Sequence, residues 1–231
     1  MATLLKGGHF YYNNIMKKMY VTYTPSHEVL FNNYFLPTYP RDYQLILQKA
    51  PQESITGDFM SDGFVSTERR RVEQIIDGIK KNWGEYIVHS DVDVQFFDLS
   101  CQQIEKELGN YDLIGADDIF GLCIGFMAIR ANHKTLDLFS NLLQMYPIIV
   151  EKFSNMQVAL NDIMLASKNN TVNYTKFSKM FFSIGMVNDA KVWDGEDFEV
   201  PQNILLHHAN YTIGTENKIK LLQYVKSKRQ V

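Results

Sequence analysis

What most constrains the fold of this 231-residue chain is an alternation of two local patterns. Short runs rich in β-branched and aromatic residues are separated by longer segments with apolar residues at helical spacing. The runs lie at 19–24 (MYVTYT), 43–48 (YQLILQ), 86–89 (YIVH), 111–115 (YDLIG), 122–130 (LCIGFMAIR), 181–184 and 204–207. Bounded by turn residues, they read as strands. Val72, Ile75, Ile76 and Ile79 recur at helical spacing in a segment that starts at Ser66 or Thr67 and runs to about Trp83. Helices are also expected over 26–35 (stopped by Pro37 and Pro40), 104–108, 134–145 (stopped before Pro147), 156–167 and 216–228. The β-α alternation predicts a three-layer α/β sandwich around a mostly parallel mixed sheet. No repeat, low-complexity tract or linker divides the chain, so residues 1–231 are read as one domain.

Composition narrows the function classes. Apolar residues make up 45% and the net charge is only −3, which argues against disorder as the main state. The 23 basic residues do not exceed the 26 acidic ones, so a nonspecific nucleic-acid partner is not expected. Cys101 and Cys123 form no C-x-x-C pair, which points to neither a zinc knuckle nor a disulfide framework. The longest strongly apolar stretch, 121–129, is too short to span a bilayer. Residues 1–12 lack the apolar core of a signal peptide. A soluble, cytoplasmic protein is expected.

The chemistry-bearing element is Asp91-Val92-Asp93, directly after the apolar run YIVH. Ligand sites in open α/β sheets lie beyond the carboxyl ends of strands. In extended backbone, residues i and i+2 point the same way. Two carboxylates on one side make a hard oxygen site for Mg²⁺ or Mn²⁺ that leaves positions open for phosphate oxygens. A second element lies near the end of the chain, in LHHANYTIGTENK at 206–218. There a neutral imidazole from the His207-His208 pair can complete a mixed N/O site. Gly214 lets backbone N–H groups approach a phosphate, and Lys218 offers a compact positive charge.

This ordered set resembles the D-x-D glycosyltransferases of the GT-A fold (Rossmann-like), specifically the nucleotide-diphospho-sugar transferase family. Five stretches carry it: VTYT at 21–24, YIVHSDVDVQFF at 86–97, GFMAIRAN at 125–132, NMQVALN at 155–161 and HHANYTIGTENK at 207–218. The chain is also similar in size to the small soluble glycosyltransferases of large DNA viruses such as chlorella virus, which would place it in a host cytoplasm. The resemblance implies that Asp91, Asp93 and His208 hold Mn²⁺ or Mg²⁺, with His207 as the fallback. Lys218 and Gly214 would stabilise the leaving diphosphate. Thr22, Tyr23 and Thr24 would receive the nucleoside, with Tyr23 stacking on the base. Arg69 or Arg70 would add a basic donor contact. The implied substrates are a UDP- or GDP-sugar, UDP favoured, and a glycan or protein-linked acceptor hydroxyl.

The chain departs from the family pattern at Met156, where an Asp is frequent; Gln157 follows it and shares a helix face with Asn161. Remaining candidates for a catalytic carboxylate are Asp118 and Asp162, with Asp117 beside the first. Two alternatives compete. Asp-x-Asp after a strand is also similar to the nucleophile motif of haloacid-dehalogenase-type phosphatases. A noncatalytic sugar-nucleotide-binding module would keep the metal site without turnover.

Overall fold

The computed structural model describes residues 16–229, except 54–57, 62, 120, 153, 167–171, 188 and 190. The amino-terminal stretch on which the signal-peptide reading rests lies outside the described residues. So does residue 167, the expected end of one helix.

Six strands form the main sheet: β1 (Lys17–Tyr23), β2 (Tyr43–Lys49), β3 (Tyr86–Ser90), β5 (Leu113–Asp118), β6 (Gly121–Arg130) and β7 (Tyr174–Lys176), in the order β2-β1-β3-β6-β5-β7. β1 runs parallel to β2 and β3, and β5 parallel to β7, while β6 is antiparallel to both its neighbours. Five strands therefore share one direction and β6 alone opposes it, the mostly parallel mixed sheet expected from the sequence. A second sheet, β4 (Val94–Phe96), β9 (Leu206–His208) and β8 (Phe181–Ser183), stands at the carboxyl end of β3.

The central strands of the main sheet are buried on both faces because they are apolar at consecutive positions, not alternate ones, whereas the edge strands β2 and β7 are partly exposed. Met19, Val21, Val88, Phe126 and Ala128 point into one cluster, and Tyr20, Ile87, Met127 and Ile129 into the other. On the second side pack α3 (Phe64–Lys81), α5 (His133–Gln144) and α7 (Met156–Ala166) through Ile75, Ile79, Phe139 and Leu160. On the first side lie α4 (Cys101–Leu108), α8 (Thr215–Arg229) and the small sheet. Ser100 starts α4 with a capping box closed by Gln103, which satisfies two backbone donors at once.

Three local features depart from the sequence expectation. The helical passage over 25–38 does not stop at Pro37: a 3-10 turn (Pro25–His27), α1 (Glu28–Leu30), a π turn (Phe31–Phe35) and α2 (Leu36–Thr38) follow in series. The hydroxyl of Thr38 donates to the Tyr34 carbonyl, so a side chain supplies a donor in the turn that the proline disrupts. Pro147 likewise sits in the first turn of a further helix, α6 (Tyr146–Glu151), where its missing N–H costs nothing. Finally, the short strands β4 and β7 lie outside the expected runs: β4 follows directly on the acid-pair turn, and β7 has no buried residue.

Candidate active site

The site forms where β3 ends. Its last residue, Ser90, is followed by a turn, and the Asp91 N–H continues the ladder by donating to the Gly125 carbonyl of β6 at 2.7 Å. Asp91 and Asp93 both face a cavity of about 470 Å³, and the buried Val92 between them lines it as well. The carboxylates thus share a side through a turn, not through the extended backbone expected. β4 then pairs antiparallel with β9, setting Val94 opposite His208 and Gln95 opposite His207. This pairing carries His208 to the acids, with its Nε2 3.3 Å from Asp93 Oδ1 and 4.0 Å from Asp91 Oδ2. One ligand atom from each of the three residues lies within 4.8 Å of the others.

Strand alternation turns His207 the other way. It lies in the apolar cluster against Phe182, 5.6 Å between ring centroids, where burial pushes its pKa down to about 3. Of the two adjacent histidines, only His208 reaches the cavity.

Each carboxylate has one oxygen held by a cation and the other facing His208. The Arg71 guanidinium is 2.9 Å from Asp91 Oδ1, and buried His89 stands 3.5 Å from the same atom. Lys218 donates to Asp93 Oδ2 at 2.5 Å and to the Ala209 carbonyl at 3.0 Å. Burial works to raise both carboxyls; Arg71 and then His89 override it at Asp91, and Lys218 and then His208 at Asp93, so both end below the usual range. Burial works to lower His208, and the Asp93 carboxylate overrides it to hold the imidazole well above its ordinary value. On the far side of the ring, Nδ1 lies 3.7 Å from Cys123 Sγ, which helps fix the ring orientation.

Gly125 supplies the space. A Cβ there would fall inside contact distance of His208 Cε1 and 2.9 Å from both Asp91 Oδ2 and His208 Nε2. A side chain at this position would fill the cradle between the three donors. Two carboxylate oxygens and one imidazole nitrogen around such a space suit a hard or borderline divalent cation such as Mn²⁺ or Mg²⁺.

The other residues singled out from the sequence divide into two groups. Thr22, Tyr23, Thr24, Asp118, Gln157 and Lys218 line the cavity. Thr22 donates to Gln74 Oε1 at 2.8 Å, Thr24 is bonded within the Ser26–His27 turn, and one face of Tyr23 stacks on Phe31 at 4.7 Å. Asp118 Oδ1 accepts from the Tyr211 hydroxyl, while Asp117 pairs with Lys176. Outside the lining lie Arg69 and Arg70, paired with Glu73 and Glu53, and Asp162, exposed on α7. Gly214 is also outside it; its φ of 83° turns the chain into α8, the helix that returns Lys218 to Asp93.

Residues not chosen from the sequence join the site. Arg71 lies beside the buried stripe of α3, and its helical phase relative to Val72 and Ile75 was the available signal. Glu68, one turn earlier on the same helix, is buried and lines the cavity. Its Oε2 accepts the Met156 N–H at 2.9 Å, and burial pushes its pKa up to about 7 against the pull of Arg71. Nothing in the sequence marks a glutamate as buried. Asn161 brackets β6, accepting from Leu122 N–H and donating to Leu122 C=O. Gln157 Oε1 accepts from Ile124 N–H at 3.1 Å.

The nucleotide-diphospho-sugar transferase family model matches residues 36–222, a span that includes all three residues of the Asp91–Asp93–His208 cluster. The chain belongs to the nucleotide-diphospho-sugar transferase family. Solved structures agree on the fold. The glycosyltransferase GlyE of Streptococcus pneumoniae TIGR4 superposes with a TM-score of 0.54 at 11% identity, covering 90% of this chain and 60% of that one. A glycosyltransferase involved in the glycosylation of the major capsid of PBCV-1 gives a TM-score of 0.54 at 9% identity, covering 89% of this chain and 99% of that one. The chain thus spans about 60% of GlyE. No curated protein matches the sequence. Family membership sets aside the phosphatase alternative. Among the described residues of this family member, no helix is long and apolar enough to cross a membrane.

Proposed function

We propose that this chain transfers a glycosyl group from a nucleoside-diphosphate sugar, a UDP-sugar in preference to a GDP-sugar, to a hydroxyl of a glycan or protein-linked acceptor. The observation that carries the reading is the convergence of Asp91, Asp93 and His208 on one side of a cavity that β1, α3 and α7 also line. These three residues would hold Mn²⁺ or Mg²⁺. When bound, the ion supplies Lewis-acid stabilisation of the charge on the departing diphosphate.

The chain's own groups do the rest. Lys218, held against Asp93, would add a positive charge beside the diphosphate that is fixed before the reaction begins. Arg71 and His89 hold Asp91 ionised and oriented, so that Oδ2 faces the ligand space. The end of β1, with Tyr23 presenting its ring to the cavity, receives the nucleoside. In the transfer, the acceptor hydroxyl oxygen would bond to the anomeric carbon as the bond to the diphosphate oxygen breaks, and the hydroxyl proton would pass to a carboxylate of the site or to water. Asp118, buried in the lining, would be the carboxylate that contacts the acceptor hydroxyl.

Calorimetry with Mn²⁺ and UDP tests the reading. Asp93→Ala removes one ligand and the partner of both His208 and Lys218, so metal-dependent UDP binding should disappear. Undiminished binding by this variant would refute the site. Release of UDP from a UDP-sugar by the wild-type protein separates the transferase from the noncatalytic module.

A further inference from the structure

Asp118 closes β5, paired with Gly121 at the turn into β6. A carboxylate at the tip of a hairpin needs a group from another element to fix its direction. Lys176 donates to the Asp118 carbonyl at 3.1 Å, which holds the backbone. The Tyr211 hydroxyl donates to Asp118 Oδ1 at 2.9 Å, which turns the side chain. Asp118 and Tyr211 both line the cavity.

Tyr211 reaches this contact from a strained backbone. Its φ of 51° lies in the left-handed region, which a bulky side chain rarely adopts. Such a conformation persists only where the surroundings over-determine it. Here the Trp193 N–H donates to the Tyr211 carbonyl at 2.7 Å. The ring lies across Gly185, in the 3-10 turn Ile184–Met186 after β8. A Cβ at that glycine would stand 2.5 Å from ring carbon Cδ2 and closer still to Cε2, so only glycine leaves the ring this seat. Burial, and then the Asp118 carboxylate, push the phenol pKa up, so the hydroxyl keeps its proton and stays a donor. A tyrosine in a cavity wall can satisfy its hydroxyl with water from a relaxed backbone. The strained one is needed to aim it at Asp118.

The place of Tyr211 in the chain adds a second consequence. It lies between His208 and Lys218, the two groups that face Asp93. One segment thus meets both the acid pair after β3 and the carboxylate at the end of β5. Moving that segment would move the partners of both together.

We propose that Tyr211 is a positioning residue for the transfer, its hydroxyl setting the direction of the Asp118 carboxylate relative to the metal cluster. The inference rests on the transferase reading above, with Asp118 at the acceptor hydroxyl, and deepens it.

The test is a double-mutant cycle of wild type, Tyr211→Phe, Asp118→Asn and the double variant. Release of UDP or GDP is followed in Mn²⁺ from UDP-glucose, UDP-galactose, UDP-N-acetylglucosamine and GDP-mannose. Water or the methyl glycosides of glucose, galactose and mannose supply the hydroxyl. Tyr211→Phe keeps the ring on Gly185 and removes only the donor, and calorimetry with Mn²⁺ and UDP reports whether the metal side of the cavity is intact. The expected result is unchanged Mn²⁺-dependent UDP affinity and donor KM with kcat down about tenfold, the loss of one hydrogen bond to a charged group. In the Asp118→Asn background the same substitution should change kcat by less than about twofold, because its effect passes through the carboxylate. Equal losses in the two backgrounds, or a matching loss of UDP affinity, would show a general structural role and overturn the proposal. Full retention of kcat by Tyr211→Phe or by Asp118→Asn would overturn it as well. A wild type that releases nucleotide from none of the four donors refutes the transferase reading itself, a failure visible before any variant is compared.

Discussion

Gly125→Ala adds one methyl group at the point where the proposed metal site has no room for it. The backbone permits the change, since Gly125 is not among the glycines with positive φ. The new Cβ would stand 2.9 Å from Asp91 Oδ2 and His208 Nε2, where ordinary contact begins at 3.4 Å, and closer still to His208 Cε1. The imidazole must therefore retreat by about half an ångström or more, and it is backed by Cys123 and by the β4–β9 pairing. Overpacking of this kind costs ~1–3 kcal/mol of stability. Displacing a ligand from its set orientation weakens metal binding ~10- to 100-fold. The assay is Mn²⁺ titration by calorimetry, with the Mn²⁺-induced rise in melting temperature as a second readout. A variant that folds and binds Mn²⁺ with wild-type affinity would refute the argument that the ion sits between Asp91, Asp93 and His208.

Two further outcomes concern stability. Asn161→Ala strips the buried Leu122 N–H and C=O of their partner, so urea denaturation should show a loss of roughly 3 kcal/mol, within the range for two orphaned backbone groups; a loss below about 1 kcal/mol would mean that β6 does not depend on this bracket. Glu68 gives a pH signature. Its folded pKa of about 7 exceeds the ordinary glutamate value of 4.5, so the unfolded chain ionises first and native stability falls as pH rises between those values. Glu68→Gln removes this penalty, and its stability relative to wild type should improve from pH 4.5 to pH 7 by about 3 kcal/mol, then hold constant. Parallel stability curves for the two proteins across that window would contradict the burial of an uncompensated carboxyl.

The parts of this molecule that were legible in the sequence are those encoded by local runs. YIVH and GFMAIR are apolar at consecutive positions, which is what a strand buried on both faces requires, and the acid pair follows the first of them directly. The short strands β4 and β7 were not legible, because β4 follows directly on the acid-pair turn and β7 contributes no buried residue to an apolar run. Choosing among Arg69, Arg70 and Arg71 needed the helical phase of α3 to one residue; the phase set by Val72 and Ile75 puts Arg71 inside, and the other two on the surface with Glu53 and Glu73. Glu68 was hidden for a different reason. A polar residue on an amphipathic helix normally faces water, and only the tertiary approach of the α7 amino terminus gives this one a partner. Pro37 and Pro147 were legible as disruptions but not as the places where helix continues or restarts, since each outcome depends on which backbone or side-chain group replaces the lost donor.

The pairing of β4 with β9 has a consequence for the order in which the molecule matures. The two aspartates can be in place once the large sheet has assembled, but the imidazole and the ammonium that complete their surroundings arrive on the last strand and the last helix. With the carboxy-terminal segment undocked, the two neighbouring negative charges would lack both counter-charges from that end. Completion of the proposed cation site then waits on that docking, and a cation held there would fasten the tail of the polypeptide to its middle.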